Sequence, residues 1–261
     1  MLNRFLFIIC GLALLTGCQQ QPAAGPLAYG PDIETIAVTD DFIARAIAAT
    51  GGYEAWLNTK KLELDCVVTF YNSDGSFYLT QQHHEIYPWS NSIRISAVEP
   101  QGKFTWLLSK DSFSAELPAQ VRAQYDVRNT MYSVRYIMTA PVRLLDKSVN
   151  FVKDGPVKME GLWYYPIRCS RVTSGERRET VFYQSRDTSL IDITRFTSPG
   201  RSVIASEAQP SVAIPISLMV RGYDYRKVRA TDVFLPTKIE IFETNPAGVI
   251  QHRLLKIEYH N

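Results

Sequence analysis

The sequence of 261 residues predicts a mainly β (α+β) protein built on a single curved antiparallel sheet. We expect an unclosed β-barrel with helices covering its open side. Many short segments alternate apolar and polar residues, which is the period of a half-buried strand. Turn signals rich in Gly, Asn, Asp and Ser separate these segments, and few patches show helical spacing instead. This combination favours one strongly curved sheet.

The chain begins with the layout of a secretory signal. Arg4 precedes the apolar stretch Phe5 to Leu15, whose 11 residues are too few to span a bilayer as a helix. The stretch ends in Leu15-Thr16-Gly17-Cys18, which resembles the lipobox of bacterial lipoprotein signals position by position. The resemblance implies that residues 1–17 are removed and that Cys18 carries the lipid anchor. The alternative is an ordinary signal peptide followed by a chance cysteine.

Composition divides the rest of the chain into a tether and a folded body. Residues 18–38 are rich in Gln, Pro, Ala and Gly and are predicted to form a flexible tether. Residues 39–261 are predicted to form a single domain, since the chain has 46% hydrophobic and 21% charged residues. The formal net charge is only +2 and no basic block is present, which argues against a nucleic-acid partner.

The body opens with helical spacing and then changes period. A helix is predicted from about Asp40 to Ala49, ended by Gly51-Gly52, and a short helical turn from Tyr53 to Leu57 follows it. From Lys61 the period becomes two, which predicts a five-stranded antiparallel meander. Its strands are expected at residues 62–71, 76–87, 91–98, 103–109 and 112–117.

Helical spacing returns between about Ala119 and Asp146. Because proline disfavours helix in the residue before it, we predict two helices parted near Ala140-Pro141, packed on a face of the sheet. A turn is also predicted at Ser198-Pro199-Gly200. Further strands are expected at residues 157–160, 162–172, 179–184, 190–198, 202–207, 218–229, 237–243 and 249–259.

Two cysteines lie outside the signal and the lipidation site. Cys66 and Cys169 each fall on the apolar side of an alternating strand pattern. In an export compartment two such cysteines can form a disulfide, and the alternative is that they are two separate small core residues. The sequence leaves both alternatives open, because it does not give the Cα separation that a disulfide requires.

No cluster of residues predicts catalysis or a metal site. His83 and His84 point to opposite faces of a strand, and Glu85 shares the face of His83 without a recognisable third ligand. The sequence has no GxSxG, SxxK, HExxH, Walker or GxGxxG motif. We therefore predict a protein that is not an enzyme and that uses no metal and no cofactor.

Aromatic and aliphatic side chains are abundant on the alternating strands. They are consistent with ordinary core packing, and also with a cavity lined for an apolar ligand. The candidate lining residues, each on an alternating strand, are Leu64, Tyr87, Phe104, Trp106, Trp163 and Tyr165.

Three segments resemble the LolA/LolB-like group of outer-membrane lipoprotein-sorting proteins. They are residues 48–56, which contain Gly51-Gly52 and Trp56, the hairpin at residues 181–191, and residues 233–239, which contain Leu235-Pro236-Thr237 and Ile239. The resemblance implies an unclosed antiparallel barrel, capped by helices, whose apolar cavity binds acyl chains or other hydrophobic ligands.

The function implied is that of a membrane-anchored envelope lipoprotein that binds a hydrophobic ligand or lipid, with a role in lipid or lipoprotein trafficking. In proteobacterial lipoproteins, which this signal resembles, an aspartate directly after the lipidated cysteine favours retention in the inner membrane. Because residue 19 of this chain is glutamine, the expected location is the outer membrane, facing the periplasm. The alternative is a non-catalytic structural or protein-interaction lipoprotein with a filled core.

Overall fold

The computed structural model describes residues 41–99, 102–109, 112–116, 127–146, 149–173, 176–202 and 213–260. The signal segment, Cys18 and the tether lie outside these ranges, so the statements made about them above stay predictions. Among the described residues, no helix has both the length and the apolar character needed to cross a membrane.

Three helices and thirteen strands occur within the described ranges. The helices are α1 (Asp41–Ala49), α2 (Tyr53–Asn58) and α3 (Val127–Arg143). The strands are β1 (Leu62–Tyr71), β2 (Phe77–Tyr87), β3 (Ser92–Glu99), β4 (Gly102–Ser109), β5 (Ser112–Glu116), β6 (Asn150–Lys153), β7 (Val157–Met159), β8 (Leu162–Thr173), β9 (Glu176–Ser185), β10 (Ile191–Ser202), β11 (Ala213–Lys227), β12 (Phe234–Thr244) and β13 (Ile250–His260).

These thirteen strands form one antiparallel sheet. Its order is β5-β4-β3-β2-β1-β13-β12-β11-β10-β9-β8-β6, and β7 pairs with β8 beside this path. Among the described residues the path starts at β5 and ends at β6 without a pairing between them, so the sheet is not closed. The predicted fold class, a mostly β protein with an unclosed antiparallel sheet and a few helices, is confirmed.

The predicted meander of β1 to β5 is confirmed, and its first turn shows why the sequence folds there. Asp74 Oδ1 accepts a hydrogen bond of 2.9 Å from the backbone N–H of Ser76, and Gly75 has a φ of 84°. A short polar side chain that bonds the backbone two residues on, followed by glycine at positive φ, stabilises a tight reversal. The turn therefore fixes the register in which Tyr71 pairs with Phe77.

The sheet curls around α3. On β1 the side chains of Leu64 and Val68 are buried, whereas Glu63 and Asp65 are exposed, so one face points inward. Helix α3 contacts β3 and β4 as well as β10, β11 and β12. Because β1 and β13 lie between these two groups in the strand order, the inner face must enclose the helix from both sides.

Helices α1 and α2 cover one end of the curled sheet, which we call the helical end. The backbone N–H of Phe234 donates to the carbonyl of Thr50 at 3.1 Å, and Trp89 Nε1 donates to the carbonyl of Trp56 at 3.0 Å. These bonds join the helices to the β11–β12 and β2–β3 connections. The β1–β2 and β12–β13 turns, at residues 72–76 and 245–249, lie at the opposite end, the hairpin end.

The predicted break at Ala140-Pro141 is wrong, because α3 is continuous from Val127 to Arg143. Pro141 lies in the last turn, where its missing N–H removes one intrahelical hydrogen bond. Burial of nearly every side chain of α3 stabilises the helix despite this loss. The predicted helical residues 119–126 lie outside the described ranges.

Two strand predictions also need correction. Residues 198–200 form no turn: β10 continues to Ser202, and a register shift between Ser198 and Arg201 absorbs the irregular Pro-Gly step. The start of the strand predicted at 202–207 therefore belongs to β10, and residues 203–207 lie outside the described ranges. Strand β6 was not predicted, because four residues are too few to display an alternating pattern.

Candidate ligand-binding interior

Three of the six predicted lining residues are buried inside the curled sheet. Leu64, Phe104 and Trp106 belong to the main core. The rings of Phe104 and Trp106 are stacked, with centroids 4.6 Å apart and an interplanar angle of 22°. These two rings are packed against each other in this structure, and the contact of all three side chains with a ligand stays a prediction.

The other three lie elsewhere. Tyr87 follows the fully buried Ile86 on β2, so its side chain is directed to the outer face, where it is half-buried. Trp163, near the start of β8, is 41% exposed. Tyr165 is half-buried, and Lys153 Nζ lies 4.3 Å from its ring centre. The sequence alone could not separate these environments, because each residue is an aromatic on an alternating strand.

Cys66 and Cys169 are both buried, as their strand patterns predicted, and no disulfide joins these two described residues. Five strands stand between β1 and β8 in the sheet order. Neighbouring strands are about 4.8 Å apart, whereas the two Cα atoms of a disulfide lie within about 7 Å of each other. The structure therefore favours the second alternative, in which the cysteines are separate core residues.

A buried polar network connects Cys66 to β2 and β13. His84 is fully buried, with Nδ1 3.0 Å from the Tyr259 hydroxyl and Nε2 3.0 Å from Gln82 Oε1. Cys66 Sγ lies 3.6 Å from the same Nε2. Burial lowers the pKa of His84 to about 3 and raises the pKa of the Cys66 thiol. A neutral thiol beside a neutral imidazole lacks the ion-pair character of a catalytic cysteine.

Helix α3 carries a set of residues that the sequence analysis missed, which we call the α3 stripe. It consists of Arg128, Tyr132, Arg135, Tyr136 and Arg143. Spacings of three, four and seven residues place them along one side of the helix. Each arginine lies over a tyrosine ring of the stripe, at distances between 4.8 and 5.7 Å from the ring centre.

The stripe brings positive charge into the interior. Arg135 is 1% exposed and Arg143 is 8% exposed. Arg135 donates to the carbonyl of Asn91 at 2.8 Å, and Arg143 donates to the Asn91 side-chain oxygen. Burial, followed by the neighbouring charge of Arg143, lowers the pKa of Arg135 to about 10, which still leaves it protonated near neutral pH. The interior is therefore apolar but cationic along α3.

The outer face of the first meander has a shallow groove of about 590 Å³. Two cross-strand rows border it, with Asp65, His83 and Thr105 in one and Val67, Gln81 and Lys103 in the other. The side chains of these two rows are mainly polar and solvated, which distinguishes this groove from the enclosed inner face.

Glu63, His83 and Glu85 lie beside this groove with one ligand atom each within 4.8 Å of the others, so β1 supplies the third candidate ligand that the sequence analysis lacked. Lys61 Nζ lies 2.5 Å from Glu63 and Arg94 lies 3.0 Å from Glu85. Because these cations already pair with both carboxylates, we interpret the cluster as a surface ion-pair network.

Comparisons with known proteins find similarity in structure only. No family model matches the sequence, and no curated protein matches it either. A LolA superfamily protein from Nitrosomonas europaea is similar, with a TM-score of 0.49 and 8% identity over 84% of this chain and 90% of that chain.

A DUF1329 family protein from Desulfovibrio piger gives a TM-score of 0.42 and 9% identity, with the same shares of 84% and 90% covered. An outer membrane lipoprotein-sorting protein domain from Vibrio parahaemolyticus gives 0.41 and 7%, again over 84% and 90%. Two of these three proteins are named as LolA or lipoprotein-sorting proteins, the group that the sequence resembles, and each similarity is one of structure at low sequence identity.

Proposed function

We propose that the inner face of the curled sheet binds the apolar chain of a lipid or a similar hydrophobic ligand, without catalysis. The observation that carries the proposal is the continuity of apolar side chains across the strands. Leu108, Ile93, Ile86 and Leu62 stand directly opposite one another on four neighbouring strands, and all four are buried. Such a concave apolar surface is suited to an extended hydrocarbon chain.

The apolar surface extends past β1 into the second half of the sheet. Val68 pairs with Ile257, which pairs with Ile239, and each of the three is fully buried. The sheet thus presents apolar rows on both sides of the β1–β13 junction, and a long ligand would follow them past the buried polar groups of Gln82 and His84.

In this structure α3 occupies the interior, so a ligand must replace part of its contacts. The α3–sheet contact includes polar groups that are poorly suited to it. Ser133 of α3 and Thr194 of β10 are fully buried, and neither hydroxyl has a hydrogen-bond partner among the described residues. Each unsatisfied buried group costs about 1–3 kcal/mol, which lowers the free energy needed to shift the helix.

The second candidate is a structural or protein-interaction lipoprotein. The observation that favours it is the filled interior itself, since α3 is buried along nearly its whole length and Trp106 is stacked on Phe104. In that case α3 stays in place and the inner face serves only as a core.

For the site of action we propose the cell envelope, with the chain attached through a lipid on Cys18 to the outer membrane and facing the periplasm. The lipobox-like Leu15-Thr16-Gly17-Cys18 and the absence of aspartate at position 19 support this proposal. The partners are then the membrane and a hydrophobic ligand, with no nucleic acid.

The test uses the chain from residue 18 with Cys18→Ala, purified in soluble form. Native mass spectrometry and lipid extraction identify co-purified ligand, and displacement of a fluorescent hydrophobic probe measures affinity. Ala97→Leu fills space on the inner face, where Ala97 is 4% exposed, and Val98→Leu is its neighbour on the outer face, 65% exposed. We expect Ala97→Leu to weaken binding about tenfold and Val98→Leu to leave it unchanged.

Thermal unfolding of both variants verifies that they are folded. A chain that carries no lipid and binds no probe would favour the second candidate instead. Equal affinity of the two variants would contradict binding at the inner face beside Ala97.

A further inference from the structure

We infer that the ligand of the interior is an anionic amphiphile, and that arginines of the α3 stripe bind its carboxylate or phosphate group. The inference rests on the proposed function and makes it more specific, since a purely apolar ligand would need no charged residue near it. It follows from three observations on the stripe, which concern charge, hydrogen bonding and position.

The first observation is the proximity of two like charges. The guanidinium carbons of Arg135 and Arg143 lie 5.4 and 5.1 Å from the centre of the same ring, that of Tyr136. Both side chains are more than nine-tenths buried. Repulsion between two buried cations is stronger than repulsion between the same cations in water. A bound anion would therefore offset more repulsion energy here than it would at the surface.

The second observation is the donor capacity of Arg143. Its side chain donates to Asn91 Oδ1 and lies over the ring of Tyr136, and both of these partners are uncharged. Its buried Nε has no hydrogen-bond partner among the described residues. Guanidinium presents donors in a planar fork that matches a carboxylate or phosphate, so an anion would use a donor that the protein leaves unused.

The third observation is the position of these groups relative to the apolar surface. Tyr136 makes edge-on contacts with Phe182 and Phe196 of the inner face, at centroid distances of 6.4 and 5.1 Å. Asn91, to which both Arg135 and Arg143 donate, lies in the β2–β3 connection. The cations therefore border the apolar interior, so a ligand whose chain lies on the inner face can reach them with its charged end.

The experiment compares ligands that share a chain and differ in charge. The chain from residue 18 with Cys18→Ala is delipidated and titrated with oleate and with oleyl alcohol, both below their aggregation concentrations. Dihexanoyl phosphatidic acid and dihexanoyl phosphatidylcholine form the second pair. We expect oleate to bind at least tenfold more tightly than oleyl alcohol. A preference for the anion found only in the phosphatidic acid pair would assign the anion to a phosphate headgroup, and one found only in the oleate pair would assign it to a fatty acid.

Arg143→Gln is expected to remove most of the preference for the anion and to leave the affinity for oleyl alcohol within twofold. Arg45→Gln is the matched control, because Arg45 lies exposed on α1 and pairs with Asp41. Arg128→Gln, at the half-buried end of the stripe, is the second variant if Arg143→Gln does not fold.

Equal affinities for oleate and oleyl alcohol in the unaltered chain would overturn the inference while leaving lipid binding intact. A full preference for oleate in folded Arg143→Gln or Arg128→Gln would overturn the role of the stripe. If no ligand of either pair binds, the proposed function fails as well, so the two failures are distinguishable.

Discussion

His84 Nδ1 and the hydroxyl oxygen of Tyr259 lie 3.0 Å apart, although the two residues are 175 positions apart in the chain. Their rings meet edge-on with centroids 5.6 Å apart. The pair connects β2 to β13 across β1, on the inner face of the sheet. Because both side chains are buried, the protonation state of His84 is coupled to the folded state.

This coupling predicts a loss of stability in mild acid. The pKa of His84 is lowered from about 6.5 in the unfolded chain to about 3 in the folded protein. Between these values the unfolded chain binds the additional proton, so the stability is fully present above pH 6.5 and decreases as the pH falls. We expect His84 to lower the free energy of unfolding in urea as the pH falls from 6.5 to 5, by up to about 1.4 kcal/mol per pH unit relative to His84→Gln.

His84→Gln should have a lower stability at pH 7 and should lose this slope. The exposed His260 gives the control His260→Gln, which should keep the slope. Identical slopes for the unaltered chain and His84→Gln between pH 6.5 and 5 would contradict the prediction.

Two adjacent glycines make a matched pair at the helical end. Gly51 has a φ of 112° and Gly52 a φ of 89°, so any other residue is strained at both. A Cβ at position 51 would also overlap the carbonyl oxygen of Asp232, whereas a Cβ at position 52 meets nothing within 4 Å. We expect Gly52→Ala to cost about 1–3 kcal/mol and Gly51→Ala about 1–3 kcal/mol more, measured by thermal unfolding. If both variants lost the same stability, the β11–β12 connection would have to shift away from the Cβ at position 51 with little loss of free energy.

Two tryptophans with the same sequence-based interpretation are expected to respond differently to truncation. Trp106 is 1% exposed and stacked on Phe104, whereas Trp163 is 41% exposed. Trp106→Ala should therefore destabilise the fold by about 3–5 kcal/mol, and Trp163→Ala by less than about 1 kcal/mol. Denaturant unfolding measures both. A small effect of Trp106→Ala would mean that the interior is loosely packed, which would strengthen the case for a ligand cavity.

Attachment to a membrane can be tested on the full chain produced in a bacterium that processes lipoproteins. Cys18→Ala should move the protein from the membrane fraction to the soluble fraction, because the lipid is the proposed anchor. Cys66→Ala serves as the control, since Cys66 is a buried core residue and its loss should leave the chain in the membrane fraction. If Cys18→Ala still sediments with membranes, the anchor lies elsewhere.

The local elements of the fold could be predicted because side chains on a strand alternate between two faces. This alternation gave the strands of the first meander and the inward position of Cys66 and Cys169. The pairing of β1 with β13 could not be predicted in this way, because strands distant in sequence carry no local signal of their partner. For the same reason no pattern indicated that Cys66 and Cys169 lie far apart in the sheet.

The candidate site was predictable only in part. Tyr87 and Phe104 look alike in the sequence, yet one faces outward and the other is buried in the core. Arg135 and Arg143 were missed because charged residues are rarely fully buried, so a helix with arginines predicts a solvated face. The spacing of arginine and tyrosine along α3 was visible, but only the enclosing sheet shows that it points inward.

The central position of β13 has a consequence for how the protein is made. This strand contains residues 250–260, after all the other strands in sequence, yet it stands between β1 and β12 in the sheet order. During synthesis the first meander can form early, but its β1 edge has no partner until residues 250–260 have emerged. Unpaired strand edges beside apolar surface are prone to aggregation. A chain that stops before residue 250 would therefore leave two such edges, on β1 and β12, and we expect it to be captured by chaperones or degraded.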